Sequence, residues 1–197
     1  NDSLELMYNF DNISSLNENG VRVNDSSING NNGTVTGATY TTAGRYGGAF
    51  FFDGNDDILG KDTGFATGAN PRTVALWANF SVNMSGQMIF AYGTAAQDNR
   101  FYIHAQNLSI CVGFWVGGSD SCSVETAPLN QWSHVALSYD GSQARVFLNG
   151  KQVTNRTRTI STTSTGAFYV GSYPGAENDR FNGSIDEIRV WNRGLSP

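Results

Sequence analysis

The chain has 197 residues, with 12 Lys and Arg against 17 Asp and Glu, a net charge of −5 and only 15% charged residues; its polarity comes from 21 Asn, 19 Ser and 16 Thr, with 23 Gly. Two Lys and five Glu are too few helix formers for a bundle, while 39% hydrophobic and 12% aromatic residues exclude a disordered chain. The acidic balance, with no cluster of Lys or Arg, argues against nucleic acid and anionic membrane as partners.

From the N-terminus, short alternating segments separated by Gly, Asn, Asp and Ser turns predict strands over 4–10, 49–52, 73–80, 87–92, 101–104, 109–116, 132–139, 144–148, 151–153, 168–170 and 184–191. Val74, Leu76, Ala78 and Phe80 share one face of their strand, as do Val135, Leu137 and Tyr139 of theirs. Asn149-Gly150 predicts a two-residue hairpin, because both turn positions need positive φ. The Gly- and Asn-rich stretch 24–37 reads as a long loop or an irregular crossing. No repeat, linker or charge run divides the chain, so the pattern predicts one domain over 1–197, an all-β antiparallel two-sheet β-sandwich. No apolar run approaches the roughly 20 residues of a membrane span. No stretch of it reads as a signal peptide, and the chain is expected to be a piece cut from a longer protein.

Cys111 and Cys122 bracket a strand, a Gly-rich turn and a return, so that the two sulfurs can face each other across a hairpin; the other reading is two reduced thiols, one of them in a core. No Cys-x-x-Cys pair with nearby His points to a metal held by sulfur. Glycosylation sequons stand at Asn12, Asn24, Asn32, Asn79, Asn83, Asn107, Asn155 and Asn182, with Asn1 a ninth, against roughly four expected by chance in this composition. A chain rich in Asn, Ser and Thr can carry sequons without using them. Together with the cysteines, they favour a secreted or cell-surface protein. Asn24, Asn32, Asn155 and Asn182 are expected in loops and modified first, and Asn79 within a strand is expected to be masked.

Five stretches bear a family resemblance: DSSINGNNGTVTGA at 25–38, GRYGGAFFFDGNDDIL at 44–59, VALWANF at 74–80, NQWSHVALSYDGSQARVFLNGKQV at 130–153 and GSIDEIRVWNRGLS at 183–196. In order and spacing they resemble the laminin-G-like, concanavalin A-like lectin/glucanase superfamily, which implies a jelly-roll sandwich. The departures are Ile28 where Gly is usual, Asn149 where Asp is common and Ser133 where a second His often sits, while 91–127 matches no family motif. The matched motifs are mostly scaffold, so they specify fold better than ligand.

Three groups of residues carry candidate chemistry. Asp11 and Asp53 lie at strand ends, and Asp186 alternates onto the face of Ile188 and Val190, which reads as buried. Oxygen donors of this kind suit Ca²⁺, and the resemblance implies a structural calcium between N- and C-terminal strands, carried over here to Asp11, Asp53 and Asp186, with Asp25 as a weaker member. The competing reading is that these aspartates cap turns.

Catalysis has less support. Glucanases of this fold pair carboxylates as E-x-D-x-x-E or E-x-D-x-E, and none of Glu5, Glu18, Glu125, Glu177 and Glu187 completes that pattern. Asp186 and Glu187 are adjacent, so on a regular strand they point to opposite faces. A Ser-His-Asp arrangement through His104 or His134 lacks a nucleophile elbow. Trp77 and Trp132 read as core residues. Trp115, in the unmatched region, reads either as a sugar platform or as a plug between the sheets. Arg100, Tyr102 and His104 alternate on one face nearby and could supply polar contacts, with Tyr173 in a later loop.

The reading reached from sequence is a non-catalytic extracellular recognition or adhesion module of a larger surface protein, binding carbohydrate or a cell-surface glycoconjugate, with calcium as its cofactor. A structural spacer or protein-interaction domain of a glycosylated coat is the second reading. A glycoside hydrolase is the third.

Overall fold

The computed structural model describes residues 3–13, 15, 18–55, 57–114, 120–175 and 178–196. Among them the strands are β1 (Leu4–Tyr8), β2 (Arg22–Val23), β3 (Gly33–Thr36), β4 (Thr39–Thr41), β5 (Ala49–Asp53), β6 (Asp57–Gly60), β7 (Arg72–Phe80), β8 (Gln87–Tyr92), β9 (Phe101–Gln106), β10 (Ser109–Gly113), β11 (Ser121–Thr126), β12 (Trp132–Tyr139), β13 (Gln143–Leu148), β14 (Lys151–Thr157), β15 (Phe168–Val170) and β16 (Asn182–Trp191). They form two antiparallel sheets packed as a sandwich. The first runs β14-β13-β12-β7-β16-β5-β4, with β1 also on β16; the second runs β11-β10-β9-β8-β15-β6-β3-β2. No helix of the described residues is long and apolar enough to cross a membrane.

Period-two alternation sorts side chains between core and outside. Val74, Leu76, Ala78 and Phe80 of β7 and Val135, Leu137 and Tyr139 of β12 meet Ile89, Phe90, Phe101 and Ile103 of the facing sheet in one core. Phe65, Phe90 and Phe168 lie ring to ring at 5.3–6.5 Å within it. Arg72 is enclosed with them. Its guanidinium donates to the carbonyls of Thr67, Gly68 and Asn70 and to the Tyr92 hydroxyl, which offsets the cost of a buried charge.

The hairpin at Asn149-Gly150 forms with φ of 50° and 82° and joins Leu148 to Lys151. The cysteines are register partners on β10 and β11 and form a disulfide, with a Cα–Cα distance of 4.0 Å.

Four expectations need correction. The loop expected over 24–37 contains β3, whose Val35 turns into the core. The strand expected over 109–116 ends at Gly113; residues 115 and 116 lie outside the described ones. Trp77 and Trp132 are half-buried on the outer face of the first sheet, because the inward turns of Leu76 and Ala78 force Trp77 outward. Asp186 does not share a face with Ile188. Glu187 has φ 54° and sits in a β-bulge against β7, so Ile185 and Ile188 both face the core. Asp186 and Glu187, expected on opposite faces, therefore both lie on the outer face.

Candidate functional site

Strand β9 alternates Phe101, Ile103 and Ala105 inward, which sends Tyr102 and His104 to the outer face of the second sheet. Arg100 and Tyr173 join them there. The Arg100 guanidinium carbon lies 3.6 Å from the centroid of the Tyr173 ring and 5.7 Å from that of Tyr102. The Tyr102 hydroxyl donates to Asp120 Oδ1 at 3.0 Å, and His104 Nε2 stands 3.1 Å from Asp120 Oδ2. Burial raises the Asp120 carboxyl, but the bonds from His104 and Tyr102 outweigh it and hold the group below its ordinary value. A side chain at Gly113 would collide with both Tyr102 and Asp120, so glycine is required for this approach. The structure thus brings Arg100, Tyr102, His104 and Tyr173 together. It also buries all four: the connection after β15 lays Tyr173 over Met88, Ala91 and Tyr102, and His104 lies against Tyr102 and Asp120. Trp115 lies outside the described residues.

The outer face of the first sheet is built differently. Trp77, Trp132, His134 and Trp191 are all half-buried there. Ala75 and Ala136 are register partners, and between bulkier neighbours their small side chains leave a depression. The result is a cleft of about 210 Å³ with these two residues among its lining and His134, Phe147, Trp191 and Leu195 around them. The segment 193–195 is fixed along it. Thr73 Oγ1 donates to the Arg193 carbonyl and accepts from the Leu195 amide, and the Ser138 hydroxyl donates to the Leu195 carbonyl. His134 packs edge-on against Trp77 at 5.3 Å. Burial, helped by the positive charge of Arg189, lowers its imidazole below the ordinary value, so the ring is neutral at pH 7 and presents one donor and one acceptor.

The four expected metal ligands divide. Asp25 is saturated by a turn: its carboxylate accepts from the Met7, Ser27 and Asn31 amides and the Ser27 hydroxyl. Asp53 caps Asn55. It pairs with Asn182, four residues and about 13 Å along β16 from Asp186. Asp11 and Asp186 are brought to the same short loop, 44–48. Asp11 Oδ1 accepts from the Gly48 amide and Asp186 Oδ2 from the Tyr46 amide, both at 3.0 Å. Asp186 is fully buried and its Oδ1 has no hydrogen-bond partner. Burial pushes its carboxyl up to about 6 against the opposing Tyr46 bond, and the neighbouring Glu187 adds to the rise. A Cβ at Gly47, where φ is 64°, would strike Asp11 Oδ1. Among the described residues no three of His, Cys, Asp and Glu gather as a metal-holding group. Of the four expected ligands, only Asp11 and Asp186 reach the same loop.

Among the sequons, Asn12, Asn83, Asn107 and Asn155 are exposed, and Asn24, Asn32, Asn79 and Asn182 are half-buried; Asn1 lies outside the described residues. Asn155 and Asn182, expected in loops, lie on β14 and β16. The Asn182 amide donates to the Asp53 carbonyl and that of Asn24 to the Asp25 carbonyl.

Residues 53–197 match the family model described as the concanavalin A-like lectin/glucanases superfamily. Among curated proteins, none matches the chain. Solved structures similar to it include domain 4 of AbnA, a GH43 extracellular arabinanase from Geobacillus stearothermophilus, in complex with arabinotriose (TM-score 0.77, 24% identity, 99% of this chain and 95% of that one). Another is botulinum neurotoxin type C, whose cell entry depends on interaction with two ganglioside molecules (0.71, 12%, 99% and 49%). A third is a mutant of Trypanosoma rangeli sialidase displaying trans-sialidase activity (0.71, 15%, 99% and 31%). The chain spans about half of the neurotoxin chain and under a third of the sialidase chain.

Proposed function

The chain belongs to the concanavalin A-like lectin/glucanase superfamily, and from that premise we propose that it is a non-catalytic, extracellular recognition module that binds carbohydrate as part of a larger surface protein. The observation that carries this reading is the outer face of the first sheet, where Trp77, Trp132 and Trp191 stay out of the core and half-exposed. A tryptophan ring offers a flat apolar surface to the C–H side of a sugar, and a neutral imidazole beside it can bond a hydroxyl. The arabinotriose complex of AbnA domain 4 and the ganglioside dependence of the type C neurotoxin support the substrate class. The disulfide supports an oxidising compartment. Asp186 lies beneath a loop and Glu187 is paired with Arg189, which favours recognition over hydrolysis.

Calcium belongs to this reading. Asp11 and Asp186 would hold it, and its charge would offset two carboxylates that flank one loop.

A glycan array that includes arabino-oligosaccharides and gangliosides tests the function. Saturable binding that weakens in Trp191→Ala supports it; silence across the array refutes it. The second reading, a protein-interaction domain, is favoured by the apolar character of the cleft around Ala75, Ala136 and Phe147. Peptide mapping of protein from its native host tests the surface location, with glycans expected first at Asn83 and Asn107 and last at Asn182.

A further inference from the structure

Arg45, in the loop before β5, is exposed, yet its side chain is held on the outer face of the first sheet. The guanidinium carbon lies 4.6 Å from the Trp77 ring centroid and 4.8 Å from that of Tyr46. The Tyr46 ring stands edge-on to Trp77 at 6.1 Å. The backbone behind these side chains is fixed as well, because the Asp186 carboxylate accepts from the amides of Arg45 and Tyr46. A cation–π contact engages the charge of a guanidinium and leaves its in-plane N–H donors to other partners. Among the described residues no carboxylate takes them. The ion pairs go to Arg145, Arg158, Arg189, Lys151 and His104. Arg45 is therefore a solvent-facing fork of donors whose position is set before any ligand arrives, which lowers the ordering cost of binding.

The charges around it suit an anion. Glu187 is paired with Arg189, and Asp186 is fully buried on the amides of the loop. The positive charge of Arg189 is felt at His134, the register partner of Trp77. We propose that Arg45 is the anion contact of this face and that the ligand it takes is an acidic sugar, whose carboxylate meets the guanidinium while Trp77 and Tyr46 hold the guanidinium in place. The proposal rests on the carbohydrate reading and narrows it to sugars that carry a carboxylate. A planar carboxylate accepts two parallel N–H bonds from one guanidinium, a match that a neutral hydroxyl does not offer. The arrangement also gives Trp77 a different task from the other tryptophans. Arg45 lies over its ring, so Trp77 is a positioning residue, and stacking on the sugar falls to Trp132 or Trp191, which are half-buried on the same face.

Calorimetric titration of the whole chain tests this with sugars matched except for charge: oligogalacturonate against its methyl ester, and sialyllactose against lactose, with sulfated lactose as an anion of another shape. At least one acidic sugar is expected to bind about tenfold tighter than its neutral counterpart, the size of one exposed charge-assisted pair. Added salt should shrink that preference. Arg45→Gln should erase it while leaving the melting temperature and the affinity for neutral sugars unchanged. Arg45→Lys, which keeps the charge without the fork, should recover only part of it. A preference that survives in Arg45→Gln overturns the assignment of the contact, and full recovery in Arg45→Lys overturns the paired geometry. Sulfated lactose binding as tightly as the carboxylate sugars overturns the choice of carboxylate. Acidic and neutral sugars that bind equally well sink this inference and leave the carbohydrate function standing. Silence toward every sugar refutes the carbohydrate reading, and this inference with it.

Discussion

The two outer faces of the sandwich are made by the same alternation and end differently. On the second sheet, β9 sends Tyr102 and His104 outward; the connection after β15 then covers Tyr102, and Asp120 closes on His104, so that four side chains suited to binding become a buried polar layer. On the first sheet, Trp77, His134 and Trp191 point outward and no segment of the described residues closes over all of them. Strand pattern decides which way a side chain points. The loops decide whether it is available, and that is why similar inventories of aromatic and polar residues read as structure on one side and as a candidate site on the other.

The contrast breaks most visibly in stability. Tyr102→Ala should cost about 3 kcal/mol, because it opens a cavity under Tyr173 and leaves Asp120 short of a donor; denaturant titration checks it, and a loss near zero would place this face in solvent. Nearby on the same sheet, reducing the Cys111–Cys122 disulfide, which closes a separation of 11 residues, should also cost about 3 kcal/mol by loop entropy. Melting curves with and without reductant measure it. Trp191→Ala on the first sheet should cost only about 1 kcal/mol yet weaken glycan binding measured by calorimetry, a split the second face should not display.

The smallest effect is in acid. Burial opposes it, but the His104 and Tyr102 bonds depress the Asp120 carboxyl, so its folded value lies below the unfolded one. The linked stability is therefore present above about pH 4 and is lost as pH falls through the folded value. Asp120→Asn should flatten the melting-temperature profile below about pH 4. A first-sheet control such as His134→Gln should leave that limb unchanged, and an unaltered profile in Asp120→Asn would deny the network its electrostatic role.

Much of the scaffold was legible because its signals are local. Alternation in β7 and β12, the Asn149-Gly150 turn and the cysteine spacing each act within a few residues. Strands β2 and β4 are not legible because two or three residues carry no measurable period, and β3 is not because Gly and Asn surround it. The outward turn of Trp77 follows from alternation alone: once Leu76 and Ala78 face inward, residue 77 cannot. The placement of Asp186 does not, because only a β-bulge turns two adjacent residues to one side, and Glu187 gives no sign of its positive φ in the sequence. The candidate site suffered most, since the burial of Arg100 and Tyr102 depends on where a distant connection lies.

The pairing of β1 with β16 sets how the module responds to a pull. Leu4 lies beside Trp191 and Tyr8 beside Ile188, and the Asn192 amide donates to the Ser3 carbonyl. Residues 3 and 192 therefore sit side by side at one end of an antiparallel pair, whose bonds run across the strands. Tension applied at these two points opens the ladder one rung at a time instead of shearing all rungs together, so β1 should peel away at low force.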